Sequence, residues 1–288
     1  MKKNMQLKFT NKDFNKRFPD NDACFEWLVN HLYPDGIECP VCKKVTKFAK
    51  LHKRPVYACD ICRYQVSPLA NTIFHKSPTP LKVWFESIFE ISNTRTGYSA
   101  KALQRKTGVT YKTAWRMFKQ IRKLLDENEG ILTNEVEVDE TYIGGKHHGK
   151  RGRGAEGKTA VIGIAQRQGK ITTNIVANTK RSTVMPLINE NVAKKTTVYT
   201  DEYPIYDTID ANGFTHKRCN HGAGEYVVGD AHTNNIEGFW SLVKRGISGV
   251  YHAVSPKYLQ SYLNEYEFRY NHRNDEQPMF VTVLGQIR

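Results

Sequence analysis

EVEVDETY, residues 135–142, is the stretch that decides how this chain folds. Val136 and Val138 alternate with Glu137 and Asp139, which is the period of a strand with one apolar and one acidic face. TAVIGIAQ (159–166) and ITTNIVA (171–177) follow, joined by the short turn Arg167 to Lys170. Three strands are therefore expected as an antiparallel meander, with Asp139 on the first. VMPLINENVA (184–193) reads as a helix with Pro186 in its first turn, and TTVYTD (196–201) as a further strand ending on Asp201. An irregular, glycine-containing stretch comes next, then helices over NNIEGFWSLVKRG (234–246) and PKYLQSYLNEYEFRYNHR (256–273). Strands, a crossover helix, a strand and closing helices predict a mixed α/β sheet flanked by helices.

Working outward toward the N-terminus, the composition divides the chain into three blocks. Residues 1–76 are rich in turn formers and carry cysteine pairs; SPTP (77–80) ends that block, because proline interrupts both helix and ladder. Residues 77–130 read as helical up to Asn128-Glu129-Gly130, and 131–288 hold the sheet. The 288 residues carry 43 Lys and Arg against 29 Asp and Glu, a formal net charge of +14 that calls for a polyanionic partner. Mean hydropathy is −0.59 and no stretch approaches the length of a membrane span, so membrane insertion is excluded as a reading. The opening MKKNMQLKFTNKDF is charged with no apolar run behind it, unlike a secretory signal, and a cytoplasmic, DNA-associated protein is expected.

Four of the six cysteines form C-x2-C-x16-C-x2-C: Cys39, Cys42, Cys59 and Cys62. Each pair puts two thiolates on a tight knuckle, and two knuckles complete the tetrahedron Zn²⁺ accepts from soft ligands. A zinc ribbon over about residues 37–66 with one structural Zn²⁺ is expected, since four protein ligands leave no open position. A redox dithiol would need only one pair, within a thioredoxin-like unit that the pattern lacks. Cys24 and Cys219 read as small buried residues.

GYSAKALQRKTGVTYKTAWRMFKQIRKLL (97–125) contains a helix, a sharp turn at Gly108 and a second helix from near Thr110; Ser99 to Leu124 holds eight Lys or Arg and no acid. This fits a helix-turn-helix whose second helix enters the DNA major groove with Lys112, Arg116 and Lys119, or a basic helical hairpin that merely packs. Trp115, Phe118 and Ile121 are the expected buried stripe under either reading.

Three acids stand out. Asp139 sits among Glu135, Glu137 and Glu140 and could be part of a solvated strand face. Asp201 could simply start a turn, and Asn234-x-x-Glu237 could be a capping box. Taken together they say more. Ile236, Phe239, Trp240 and Val243 form an apolar stripe, and Glu237, Ser241 and Lys244 an adjacent one at i, i+4, i+7. A helix packed on the sheet by its aromatic face would bring Glu237 and Lys244 to the sheet margin. Two carboxylates on strand ends and one on that helix could hold two divalent cations for attack on a phosphodiester.

The cysteine pairs, the basic helical segment, VEVDETYIGGK, YTDEY, HTNNIEGFW and KRG together resemble bacterial insertion-sequence transposases of the DDE type, in the group with an N-terminal zinc ribbon, from about residue 20 to residue 273. The resemblance implies a ribonuclease-H-like catalytic fold, Asp139, Asp201 and Glu237 as ligands of two Mg²⁺ or Mn²⁺ ions, and Lys244 as a DNA contact. Members of the group carry Glu or Asn at the third position. Asn234 is therefore the alternative ligand, with Glu237 favoured because a carboxylate binds Mg²⁺ better than a neutral amide. The implied activity is binding of element ends, phosphodiester cleavage and transfer of the 3′-hydroxyl strand into target DNA, by a homo-oligomer on double-stranded DNA with no small-molecule substrate. The competing reading is a non-catalytic zinc-ribbon and helix-turn-helix regulator, against which the intact Asp139, Asp201 and Glu237 argue. A tyrosine recombinase is a poorer fit, since tyrosines 258, 262, 266 and 270 recur every four residues as a buried helix face would. Finally, IGGKHHGKRGRGAEGK (143–158) holds six glycines and five Lys or Arg, including Lys150, Arg151 and Arg153, next to the acidic strand. It reads as a loop that lets the backbone approach phosphates, or as a polar hairpin tip.

Overall fold

The computed structural model describes residues 9–51, 54–127, 130–144, 157–219 and 232–288. These form two compact units. One is built from the residues up to Thr94 with Ala100–Leu124 and Asn274–Arg288, the other from Arg95–Ser99 and Leu125–Arg273. The compositional blocks cut the chain differently, because composition does not register the return of the C-terminal segment to the first unit.

The first unit begins with two helices in a region whose composition suggested only turns. Helix α1 (Asn11–Arg17) starts with a capping box between Thr10 and Asp13, and α2 (Asn21–Leu32) is capped by Asp20, which accepts from the Ala23 amide at 2.9 Å. Next come the short strands β1 (Glu38–Cys39), β2 (Lys44–Val45), β3 (Phe48–Lys50), β4 (Tyr57–Cys59) and β5 (Gln65–Val66). They pair antiparallel as β1-β2 and β3-β4-β5. Helices α3 (Leu81–Asn93), α4 (Ala100–Thr107) and α5 (Tyr111–Leu124) follow. Gly108, with φ +74°, ends α4 in the left-handed conformation glycine adopts freely, and the Thr110 hydroxyl then accepts from the Thr113 amide at the start of α5. The core is aromatic: Phe14, Phe18, Trp84, Phe85 and Phe89 are buried together with Phe280 of the C-terminal helix, whose ring lies 5.5 Å from Phe89. On α5 the buried stripe is Ala114, Met117, Phe118 and Ile121. Trp115, expected in that stripe, sits half-exposed on its margin with the Lys119 ammonium 5.7 Å from its ring.

The second unit is a five-stranded sheet in the order β10-β9-β6-β7-β8. Strands β6 (Glu135–Gly144), β7 (Lys158–Gln166) and β8 (Ile171–Val176) make the antiparallel meander. Helix α6 (Arg181–Asn191) crosses over to β9 (Thr197–Thr200), which runs parallel to β6, and β10 (Thr215–Arg218) adds parallel to β9 at the edge. This is a ribonuclease-H-like sheet. The sequence pattern did not reveal β10, because THKR is a short polar edge strand with no buried face to alternate. Helices α7 (Asn234–Gly246) and α8 (Pro256–Asn271) close this unit, and α9 (Met279–Gly285) belongs to the first.

Alternation sorts the strands' side chains to two cores. Val136, Val138, Ile162 and Ile164 pack with Val184, Met185 and Ile188 of α6. Val161 and Ala165 face the other way, onto Ile236, Phe239, Trp240 and Val243 of α7 and Leu259, Leu263 and Tyr266 of α8. Of the four periodic tyrosines only Tyr266 is fully buried; the leucines carry the packing of α8.

Candidate active site

The parallel ladder between β6 and β9 ends at the pair Glu137 and Tyr199. Two residues farther along each chain stand Asp139 and Asp201, so the same register that builds the sheet sets Asp139, midway along β6, beside Asp201 at the carboxyl end of β9. That is where open α/β sheets expose their crevices. Asp139, Asp201 and also Glu140 each offer a carboxylate oxygen within 4.8 Å of the others. Asp201 accepts from the Tyr203 amide at 3.0 Å, so it does start a turn while sharing this cluster. Glu140, which strand alternation assigns to the opposite face from Asp139, is held by the Tyr206 hydroxyl at 2.9 Å. Its long side chain brings it back to the margin, an outcome no periodicity signals. Burial, then the charges of Glu140, Asp201 and Glu237, push the Asp139 carboxyl up to about 7.

Helix α7 carries Glu237, which is not among the carboxylates that lie within 4.8 Å of one another, although its charge acts on Asp139. Thr233 is its N-cap residue but provides no side-chain cap; its hydroxyl donates instead to Glu237 Oε1 at 2.7 Å. The capping-box reading of Asn234 and Glu237 is thus overturned: the helix start is bound by Glu137, a fully buried side chain on β6. Asn234 is exposed at the first helical position, and Asn235 is committed to Glu137. Glu237, Ser241 and Lys244 are all exposed on α7, as their spacing required. Gly163 on β7, directly across from Asp139, lets the helix come close: a Cβ there would lie 2.5 Å from Trp240 and 2.7 Å from Ile236.

The four cysteines also converge. Cys39 and Cys62 sulfurs are 3.5 Å apart, and Cys42 and Cys59 3.9 Å. The two knuckles match. Lys43 and Arg63, each one residue past a pair, take left-handed φ of 56° and 62° and donate their amides to the Cys39 and Cys59 carbonyls at 2.8 and 3.0 Å. The Thr46 hydroxyl, 3.2 Å from Cys59, leads the groups that lower that thiol to about 6 and favour its thiolate. Cys24 and Cys219 are buried and lie outside this cluster. On α5, Lys112 and Arg116 are exposed, Arg116 donating to the Ser77 hydroxyl at 3.1 Å, and Lys119 is half-buried. Lys150, Arg151 and Arg153 lie outside the described residues. Among the described residues, no helix is long and apolar enough to cross a membrane.

Residues 131–271 match the ISXO2-like transposase domain, and residues 19–65 the transposase zinc-ribbon domain. An uncharacterized protein in transposable element ISH50 of Halobacterium salinarum is 30% identical over 273 residues, spanning 88% of this chain and 92% of that protein. An uncharacterized transposase-like protein of Haemophilus influenzae is 31% identical over 118 residues, 41% of this chain and 93% of that one. Among solved structures, the pre-cleavage Mos1 transpososome aligns at 12% identity over 69% of this chain and 76% of that one, with a TM-score of 0.29, too low to carry anything over. One match spans the sheet and its helices, another the cysteine lobe, and a relative aligns along most of its length: the chain belongs to the insertion-sequence transposases in which an ISXO2-like transposase domain follows a zinc ribbon.

Proposed function

We propose that this transposase binds the ends of its element, cleaves phosphodiesters at a two-metal centre formed by Asp139, Asp201 and Glu237, and joins the freed 3′-hydroxyl to target DNA. The observation that carries the reading is the shared register of Asp139 and Asp201 at the end of the β6–β9 ladder, with their oxygens within 4.8 Å. Hard carboxylate oxygens suit Mg²⁺ or Mn²⁺, and a bound cation would offset both the burial and the neighbouring acids that raise Asp139. Two such ions would activate a water and neutralise the charge developing on the phosphodiester. Asp139 must give up its proton before it can serve as a ligand. Glu237 is the third ligand rather than Asn234, because its charge already acts on Asp139 and Thr233 orients it. Lys244, two turns along the same exposed stripe, holds the DNA backbone.

Elsewhere, Cys39, Cys42, Cys59 and Cys62 bind one structural Zn²⁺. Tetrahedral thiolates at about 2.3 Å from zinc lie about 3.8 Å from one another, and the observed 3.5 and 3.9 Å bracket that spacing. The helix-turn-helix of α4 and α5 contributes Lys112, Arg116 and Lys119 to double-stranded DNA, Lys150, Arg151 and Arg153 add phosphate contacts, and the protein works as a homo-oligomer on DNA.

The test is Mg²⁺- or Mn²⁺-dependent nicking of a cognate element end. Wild type should nick; Asp139→Asn, Asp201→Asn and Glu237→Gln should lose cleavage by about 10³-fold or more while binding the DNA normally, since these groups act on the chemistry. A cleaving Asp139→Asn variant would refute the site. Cleavage lost in Asn234→Ala but kept in Glu237→Gln would move the third ligand.

A further inference from the structure

Glu137 is an unusual residue for its place. Its side chain is wholly buried, yet both carboxylate oxygens are occupied by groups distant in sequence. Oε2 accepts from the backbone amides of Asn235 at 2.8 Å and Ile236 at 3.1 Å. Oε1 accepts from the Asn235 side chain at 2.7 Å and from Arg167 Nε at 3.0 Å, with His232 Nδ1 at 3.3 Å. Arg167 is itself fixed: its guanidinium lies 3.6 Å from the Tyr199 ring centroid and donates to the His232 carbonyl at 2.8 Å. A lone buried carboxylate is costly, and this set of donors is what offsets the burial of Glu137.

The amides it binds are those of the second and third residues of α7, the groups a helix ordinarily caps with its own N-cap side chain. Here the cap comes from the sheet. Thr233, relieved of that duty, gives its hydroxyl to Glu237. Glu137 and Asp139 are two apart on one strand and so share a face.

We infer that Glu137 is a positioning residue for the metal centre: with Arg167 it pins the start of α7 to the strand that carries Asp139, and so fixes Glu237 against Asp139 and Asp201. The inference rests on the metal site proposed above, and adds to it a residue that never touches the metal.

The experiment is a double-mutant cycle on Mn²⁺ affinity, measured by the electron paramagnetic resonance of free Mn²⁺ over the full-length, zinc-loaded chain. Glu137→Gln keeps the shape but puts an amide NH₂ among donors. It should weaken Mn²⁺ binding by about 10-fold or more, the usual effect of losing a group that orients a ligand. In a Glu237→Gln background the same change should cost nothing further, because the effect passes through Glu237; a general structural loss would cost the same factor in both backgrounds. Asn235→Ala, at a half-buried position, removes one link and leaves Glu137 paired with Arg167; it should give a smaller loss with the same non-additivity, and it carries the test if Glu137→Gln does not fold. Additive losses, or wild-type affinity in both variants, overturn the clamp while Asp139→Asn still abolishes Mn²⁺ binding. Mn²⁺ binding untouched by Asp139→Asn overturns the metal site itself, and the clamp with it.

Discussion

Asp139 is where burial and charge conflict most sharply. Its carboxyl is raised to about 7 by desolvation and by Glu140, Asp201 and Glu237. In the unfolded chain an aspartate titrates near 4, so between about pH 4 and 7 the folded, metal-free protein holds a proton that the unfolded chain lacks. The stability this contributes is present below about pH 4 and is lost as pH rises through 7. Asp139→Asn removes the dependence. The melting temperature of the metal-free variant should therefore gain on wild type as pH increases from 5 to 8, by about 2–4 °C for each kcal/mol in a unit of this size. Equal melting curves across that range would contradict the crowding of acids at this position. A Mg²⁺ ion held by Asp139 would compete with that proton, so Mg²⁺ affinity should rise as pH passes through 7. Asp139 and Asp201 were legible in the sequence, one as an acid within an alternating strand and the other as the acid that closes a strand. Glu140 and Glu137 were not, because one reaches its cluster against the alternation and the other is defined by partners about 30 and 98 positions away.

Among the elements, α7 was read correctly in extent and stripe, but what sets its distance from the sheet is a residue on another strand. Gly163→Ala would drive a methyl into Trp240 and Ile236. Overpacking of this kind costs about 1–3 kcal/mol and would displace the helix that carries Glu237. The expected result is a lower melting temperature and reduced cleavage with unchanged zinc content; unchanged cleavage would show that α7 tolerates the shift. The cysteine knuckles were fully legible, because their geometry is local: two residues between ligands and a left-handed residue after each pair. Metal analysis should find one zinc per chain, and Cys42→Ser should lose it and lower the thermal melt. Zinc-free wild-type protein with the melt of Cys42→Ser would contradict the assignment. By contrast, α1 and α2 do not register in a composition rich in turn formers, although Phe25, Leu28, Val29 and Leu32 of α2 recur at the i, i+3, i+4, i+7 spacing of a helix.

Over the whole molecule, the mixed sheet could be read from EVEVDETY outward because β6 alternates apolar and acidic residues and β7 is a continuous apolar run buried on both faces. The edge strand β10 has no buried face and escaped notice, and the return of α9 to the first unit depends on Phe280 meeting Phe14, Phe18 and Phe89, contacts that no local pattern encodes. The net charge of +14 belongs to this scale too. If Lys150, Arg151 and Arg153 touch phosphates, neutralising all three should weaken DNA binding alike for every sequence. The slope of log affinity against log salt should then flatten by about 0.9 for each phosphate left without its cation. An unchanged slope would leave that segment a polar hairpin tip. If Asp139, Asp201 and Glu237 form one divalent-metal centre, anomalous diffraction from crystals soaked in Mn²⁺ will locate it. Manganese density is expected between Asp139 and Asp201, with a Glu237 oxygen at about 2.2 Å from a metal, near the distances hard cations keep to oxygen ligands. Manganese bound away from these carboxylates, or held by Asn234 with Glu237 turned away, would contradict that arrangement.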